Sequence, residues 1–280
     1  MNNTITRETL TEYRAYLIAQ ERSNATIEKY LHDAGEFALW LGERALSREL
    51  AGAWKAKKLD EGYKPQTINA ALSALNNLFR FLDRADCQVR FLKVQRRIFR
   101  DETRELTQAE YKNLVRTAQR QGRERLALML ETISGTGIRV SELSFITVSA
   151  ARTGRADVAL KGKIRTILLP DRLCKKLLRY AGEQGITCGE IFRTKRGTGI
   201  SRQQIWSEMK ALCAAAGVEP DKVFPHNLRH LFARVFYRVC QDIVKLADVL
   251  GHSSLETTRI YLMTTTKEHR QQLDRLLLVL

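Results

Sequence analysis

The sequence predicts a mainly α-helical protein with one small antiparallel β-sheet. Three observations carry that prediction. Apolar residues recur at helical spacing: Ile27, Leu31, Ala34, Ala38 and Leu41 form one stripe, and Ile68, Ala71, Leu72, Leu75, Phe79 and Leu82 another. Helix-start signals stand before further stretches, with Thr107 and Glu110 in one capping box and Ser201 and Gln204 in another. Strand character is confined to short runs. The clearest are Asp157–Leu160 and Ile164–Leu169, which flank Lys161-Gly162-Lys163, a hairpin signal with glycine in the turn.

Taken in order, the chain begins with a helical region reaching about Asp86. Thr9–Ile18 opens it, the two stripes follow, and Leu46–Leu59 adds a helix before the turn-like Gly62 and Pro65. Four or so helices make a small bundle. Periodicity then weakens while basic residues gather at Arg84, Arg90, Lys93, Arg96, Arg97, Arg100 and Arg104, as expected of an interdomain linker. A second region starts near Glu105. A helix through Arg123–Ile133 runs into a sharp turn at Gly135-Thr136-Gly137, which presents Arg139 at a helix start where free backbone N–H groups favour an anion. Glu142 is placed to hold that guanidinium or to stand as a plain surface carboxylate. After the hairpin, Ile191-Phe192 and Gly197–Ile200 read as strand and turn, and a helix follows from Ser201 to about Ala216.

Composition narrows the class. With 280 residues the chain has room for two domains. At 44% hydrophobic and 28% charged it reads as a folded globular protein. Its 47 Lys and Arg against 31 Asp and Glu give a net charge of +16, which favours a polyanionic partner. No apolar run of membrane-spanning length appears, and the N-terminus lacks the apolar core of a signal peptide. Cys87, Cys174, Cys188, Cys213 and Cys240 are scattered and odd in number, the pattern of reduced thiols in a cytoplasmic protein. No nucleotide or metal cofactor is expected. A P-loop would need glycine at Asp157 and a hydroxyl at Ile164, and the zinc pair of a metalloprotease would need glutamate at Asn227.

The stretch from Phe224 to Tyr261 organises the rest. Pro225 suits a first helical turn, and His226, Arg229 and His230 then share one face, opposite Leu228, Leu231, Phe232, Val235 and Val239. A second helix, around Asp242–Leu250, closes at Gly251. His252 follows, and Ser253 with Glu256 is expected to cap a third short helix carrying Tyr261, nine residues after His252.

The ordered set His226-x-x-Arg229, Leu250-Gly251-His252 and Tyr261, with the string TGIRVSEL around Arg139, closely resembles the signature of the tyrosine recombinases, the phage integrase family. That resemblance implies a helical core-binding domain that clamps DNA (residues 1–86, on the pattern Thr26–Tyr30, Phe37, Trp40–Leu41 and Thr67–Phe81). A basic linker (87–103) and a catalytic domain (104–280) follow. It implies catalytic roles for Arg139, Lys161, His226, Arg229, His252 and Tyr261, with Glu142 in support. Lys163 stays open as the alternative to Lys161, and Lys163, Arg202 and Gln203 are candidate DNA contacts. The implied reaction is site-specific recombination through a 3′-phosphotyrosine and a Holliday junction, by a homotetramer on two DNA duplexes. The layout is closest to compact Xer-type enzymes, since the core-binding pattern begins almost at residue 1, and implies a bacterial, nucleoid-associated setting. The apolar tail, with Leu273, Leu276, Leu277 and Leu280 at helical spacing, needs a partner surface; it packs on its own domain or, as the resemblance implies, docks on a neighbouring protomer. Phe145–Ala150 departs from the family pattern, which puts the local strand layout in question. A type IB topoisomerase and a non-catalytic DNA-binding relative remain the alternatives.

Overall fold

A computed structural model describes residues 4–94, 102–160, 163–194, 196–262, 270 and 274–276. The chain divides into two compact units, Met1–Arg96 and Arg97–Leu280.

The first unit holds α1 (Arg7–Ala19), α2 (Asn24–Leu41), α3 (Arg48–Asp60) and α4 (Pro65–Phe81). Thr6, Ser23 and Ser47 cap the first three helices with side-chain oxygens, satisfying backbone donors that have no intrahelical partner. Pro65 begins the fourth, where its missing N–H leaves nothing unpaired. The apolar stripes bury Ile27, Phe37 and Leu41 against Leu72, Leu75 and Phe79, with Tyr13 and Trp54 closing the core. Phe37 meets Trp54 and Phe79 edge-on, each with ring centroids 5.7 Å apart. Ordered packing runs past Asp86. Cys87 is fully buried, the Asn76 side chain clasps both the N–H and the carbonyl of Val89, and Asn69 does the same for Leu92. Of the basic run, Arg84 bonds to Asp86 and to the Leu46 carbonyl, while Arg96, Arg97 and Arg100 lie outside the described residues.

The second unit begins with α5 (Gln108–Arg120), which opens on the Thr107–Glu110 capping box. It continues through α6 (Glu124–Thr136), a 3₁₀ turn at Val140–Phe145 and α7 (Val148–Thr153). The stretch that departs from the family pattern is thus the end of the 3₁₀ turn and the start of a short helix, with Ile146, Val148 and Ala150 in the core and an isolated β-bridge from Thr147 to Glu190. The hairpin β1 (Arg155–Leu160) and β2 (Lys163–Leu168) is antiparallel, with Arg155 opposite Leu168 and Leu160 opposite Lys163. Next come α8 (Asp171–Glu183), α9 (Arg202–Lys210), α10 (Cys213–Ala216), α11 (Pro225–Cys240), α12 (Ile243–Leu250) and α13 (Leu255–Arg259). The core gathers Leu114, Leu126, Leu130, Ile133, Leu143, Val158, Ile167, Leu177, Leu212 and Leu228.

Several expectations need correction. Ile191-Phe192 and Gly197–Ile200 form only the isolated bridge Arg193–Gly199, because too few residues pair to make a ladder. The helix from Ser201 breaks at Ala211 and resumes as α10. The Ser253–Glu256 capping box does not form. The His252 amide turns back to the Ala247 carbonyl at 2.9 Å, and the next helix starts behind Ser254, which makes no side-chain cap. Val239 is 79% exposed, because it lies at the end of α11 beyond the core.

Candidate active site

The site is assembled where α6 and α12 end beside α11. Helix α6 closes at Gly137 with φ +66°, the left-handed conformation that glycine adopts without strain. A Cβ there would stand 2.3 Å from Phe232 Cδ1 on α11, so glycine also permits the two helices to meet this closely. Arg139, two residues on, heads the 3₁₀ turn. Its own N–H donates to Glu142 Oε2 at 2.7 Å, and its Nη1 donates to Glu142 Oε1 at 3.0 Å. The anion at this turn is therefore a buried carboxylate of the chain itself, and the Arg139 amide expected to face a bound anion is already taken. Arg139 keeps 43% of its side chain exposed while Glu142 keeps 3%.

Helix α11 presents His226, Arg229 and His230 along one face, as the 3.6-residue turn requires. Arg229 is only 2% exposed. Its guanidinium donates to the Gly137 carbonyl at 2.6 Å and to the Leu250 carbonyl at 2.7 Å, and lies 2.9 Å from His252 Nε2. Burial, then repulsion from Arg139, brings its pKa down to about 10, against the pull of Tyr261. It stays cationic at neutral pH. Because arginine only donates, His252 Nε2 must accept, which leaves the proton on Nδ1 to be donated to Thr258 Oγ1 at 2.8 Å.

Helix α12 starts on the Asp242 cap and stops at Gly251, again left-handed at φ +63°. A helix end leaves carbonyls without intrahelical donors and carries partial negative charge. Here three successive carbonyls each meet a different guanidinium. Val249 accepts from Arg165 at 2.9 Å, Leu250 from Arg229, and Gly251 from Arg139 at 3.4 Å. The cluster concentrates positive charge on the turn that bears His252. Burial and then the neighbouring arginines push the His252 pKa down to about 4, and the same causes lower that of His226. His226 is solvent-accessible at the rim, but neighbouring atoms crowd its ring closely enough to disfavour the charged form. Both rings are neutral at pH 7.

Tyr261, 5% exposed, packs with Ala233, Leu246 and Leu250. Its ring lies 4.3 Å from the His230 ring, 5.6 Å from that of His252 and 5.9 Å from that of His226. One buried guanidinium, one exposed guanidinium, three imidazoles and a phenol thus converge on one spot. The cations can bind one phosphate through bidentate bonds, and a neutral imidazole can take the phenol proton.

Two family models match the chain, "Phage integrase family" over residues 104–268 and "Phage integrase, N-terminal SAM-like domain" over residues 10–86. The first spans more than half of the chain and takes in this whole cluster. The chain belongs to the phage integrase family. The tyrosine recombinase XerA of Pyrococcus furiosus is 30% identical over 97% of this chain and 95% of its own length. The tyrosine recombinase XerD of Proteus mirabilis is 30% identical over 89% of this chain and 86% of its own. Its relatives are enzymes that break and rejoin DNA, and this integrase-family chain is a tyrosine recombinase. With an archaeal relative among them, the likeness is not confined to bacteria. The fold is shared with XerH bound to its difH substrate (TM-score 0.69, 19% identity, 95% of this chain and 84% of that one). It is also shared with a lambda integrase tetramer bound to a Holliday junction (TM-score 0.73, 20% identity, 91% and 76%).

Of the residues singled out in the sequence, Arg139, Glu142, His226, Arg229, His252 and Tyr261 come together in the integrase fold. Lys161 lies outside the described residues, and Lys163 opens β2. Arg202 and Gln203 are exposed on the first turn of α9. Sequence reasoning missed Thr258, the contact of His230 with Tyr261, and Arg165. The signal for Arg165 was its parity, since it alternates with Ile167 and Leu169 on the buried side of β2. The closest approach to a metal-ligand set among the described residues is His32, Asp33 and Glu36, whose ligand atoms lie within 4.8 Å of one another. There Lys29 already pairs with Asp33 and Lys58 with Glu36. Among the described residues no helix is long and apolar enough to cross a membrane.

Proposed function

We propose that the chain is a site-specific DNA recombinase that exchanges strands through a 3′-phosphotyrosine, with no metal or nucleotide cofactor. The scissile phosphate sits against Arg139 and Arg229, which meet its non-bridging oxygens and the extra charge of the pentavalent transition state. The Tyr261 oxygen attacks phosphorus as His226 accepts the phenol proton. The bond from phosphorus to the 5′ oxygen breaks, and the hairpin lysine, Lys161, supplies the proton that oxygen needs. One phosphodiester has been exchanged for another, so a 5′-hydroxyl from a second duplex can reverse the step and join the strands without ATP. A phosphate that accepts from Arg229 displaces the His252 contact, and its charge raises the His252 pKa so that the protonated ring donates to it as well.

The observation that carries this reading is the Tyr261 ring packed among those of His226, His230 and His252 where the buried Arg229 bonds to His252, with Arg139 on the same helix end and His226 neutral. The lambda integrase tetramer on a Holliday junction has this chain's fold and supports a tetramer on two duplexes. The division into a DNA-clamping domain, a basic linker and a catalytic domain, the DNA contacts of Lys163, Arg202 and Gln203, and docking of the C-terminal tail on a neighbour belong to the same proposal. So does a cytoplasmic, nucleoid-associated location.

The test captures covalent protein–DNA adducts from cells under denaturing conditions and sequences the attached DNA, which supplies a nicked suicide substrate. The wild-type chain should form a denaturant-resistant adduct and Tyr261→Phe none, while both bind the site equally. An adduct persisting in Tyr261→Phe moves the nucleophile elsewhere, Tyr237 first. Linked exchange between two marked duplexes separates recombinase from topoisomerase. Sulfur at the bridging 5′ position should restore Lys161→Ala, because a thiolate leaves without a proton; rescue of Lys163→Ala instead transfers the acid role.

A further inference from the structure

Arg165 is the third guanidinium at the end of α12, and the reaction scheme above leaves it unused. It stands in β2 opposite Val158 with only 14% of its side chain exposed, so it does not reach out to DNA as a surface arginine would. Its Nη2 donates to Glu142 Oε2 and its Nη1 to the Val249 carbonyl at 2.9 Å, while Nε is buried without a hydrogen-bond partner. The turn at Gly251 rests directly on it. A Cβ on Gly251 would stand 2.5 Å from Arg165 Cδ and 3.0 Å from Nη1. One side chain therefore ties the hairpin, the carboxylate beneath Arg139 and the turn that bears His252.

Glu142 shows what the arrangement does. It is a buried carboxylate shared between two guanidiniums, one held inside the protein and one, Arg139, reaching outward. A buried charge that loses a partner recovers compensation from whatever cation remains. Without Arg165, that cation is Arg139, which already donates Nη1 to Glu142 Oε1 and would be drawn across to Oε2 as well, turning its remaining donors away from a phosphate. We propose that Arg165 is a positioning residue that satisfies Glu142 from below and so keeps Arg139 extended toward the scissile phosphate. The inference rests on the proposed reaction, in which Arg139 meets that phosphate.

The experiment is single-turnover cleavage of the suicide substrate at saturating protein, with Arg165→Lys as the variant that keeps charge and fold and Arg165→Met as the one that removes the charge. Arg165→Met should slow cleavage by about 10–100-fold, the size expected when a reacting group is displaced by roughly an ångström. Affinity for the single site should stay within about twofold of wild type. Arg165→Lys should fall between the two, since one ammonium cannot hold both Glu142 and the Val249 carbonyl as the fork does. Adding Arg165→Met to Arg139→Lys should slow cleavage little beyond Arg139→Lys alone, because both act through one group. Glu142→Gln should partly restore Arg165→Met, as a neutral amide no longer pulls Arg139 inward. A bridging 5′-sulfur substrate should give no rescue. Multiplicative losses in the double variant, rescue by sulfur, or full-rate cleavage by both Arg165 variants would each overturn the proposal. If Arg165→Met does not fold, the Arg165→Lys rate and its combination with Glu142→Gln decide the matter. Full cleavage by Arg139→Ala, run alongside, would sink the reaction scheme itself, whereas its loss with intact Arg165 variants sinks only the positioning role.

Discussion

His252 sits among three guanidiniums, and its protonation state is where the electrostatics of this site become measurable. Its folded pKa is about 4, against an ordinary value of 6.5, because burial and Arg229, Arg139 and Arg165 all disfavour the imidazolium. The unfolded chain therefore binds this proton more tightly than the folded one. Stability contributed by the neutral ring is fully present above about pH 6.5, falls as pH drops through the interval from 6.5 to 4, and levels off below it. His226 is shifted in the same direction and adds to the slope. Urea midpoints between pH 7 and pH 4 should decline for the wild type, and His252→Gln should flatten part of that decline whatever it does to the midpoint at pH 7. An unchanged slope in His252→Gln would assign the effect to other groups. Bound phosphate reverses the sign at this site, so DNA binding should take up protons above about pH 4, where the free ring is neutral. The same reasoning explains why Arg229 is built as it is: 2% exposed, it holds two carbonyls and a neutral ring, which satisfy its donors without cancelling its charge.

At the scale of elements, function depends on helix ends that meet at a glycine. Gly137 closes α6, admits Phe232 of α11 and offers its carbonyl to Arg229. Gly137→Ala should be destabilising by about 1–2 kcal/mol for the left-handed backbone alone, with overpacking against Phe232 adding about 1–3 kcal/mol. Denaturant midpoints check the stability. Cleavage should fall further than the folded fraction does, because the displaced carbonyl no longer aligns Arg229; equal losses would reduce Gly137 to a packing role. Much of this architecture is linear in the sequence. Apolar stripes at helical spacing mark α2 and α4, Lys-Gly-Lys marks the hairpin, and Arg139, His226, Arg229, His252 and Tyr261 stand in short motifs. What could not be read arises from pairings across distant segments. The three arginines that meet Val249, Leu250 and Gly251 come from residues 139, 165 and 229, and nothing local announces that they share one helix end. Arg165 is hidden by its neighbours, since Ile164 and Leu168 are apolar yet exposed and blur the alternation of β2. The Ser253–Glu256 box is not made, and the helix starts one residue later, behind Ser254.

At the scale of the whole molecule, a net charge of +16 favours a polyanionic partner, but charge alone would not assemble the proposed tetramer. Assembly needs apolar surface, and the catalytic unit offers some. A groove of about 400 Å³ between α5 and α11 is lined by Tyr111, Leu231, Phe232, Val235, Phe236 and Val239. Most of the apolar tail, including Leu273, Leu277 and Leu280, lies outside the described residues, and Leu276 is exposed. Tail and groove match in character, and a terminal segment this apolar is stable in water only when covered. Deleting residues 270–280 should leave a folded protein that binds a single site with unchanged affinity, while pairing of two sites and recombination collapse. Val239→Asp makes the complementary test from the groove side, because Val239 is exposed and its replacement leaves the core untouched. If the tail docks in the groove of a neighbour, both variants should form single-site complexes and fail to form paired ones in an electrophoretic mobility assay. Mixing them in equal amounts should restore part of the pairing, since a protomer with an intact tail can then meet a protomer with an intact groove. Unfolding of the truncated chain would mean that the tail packs on its own domain. Unchanged pairing in Val239→Asp with loss in the truncation would move the docking surface elsewhere, and full recombination by both would end the tail-exchange reading.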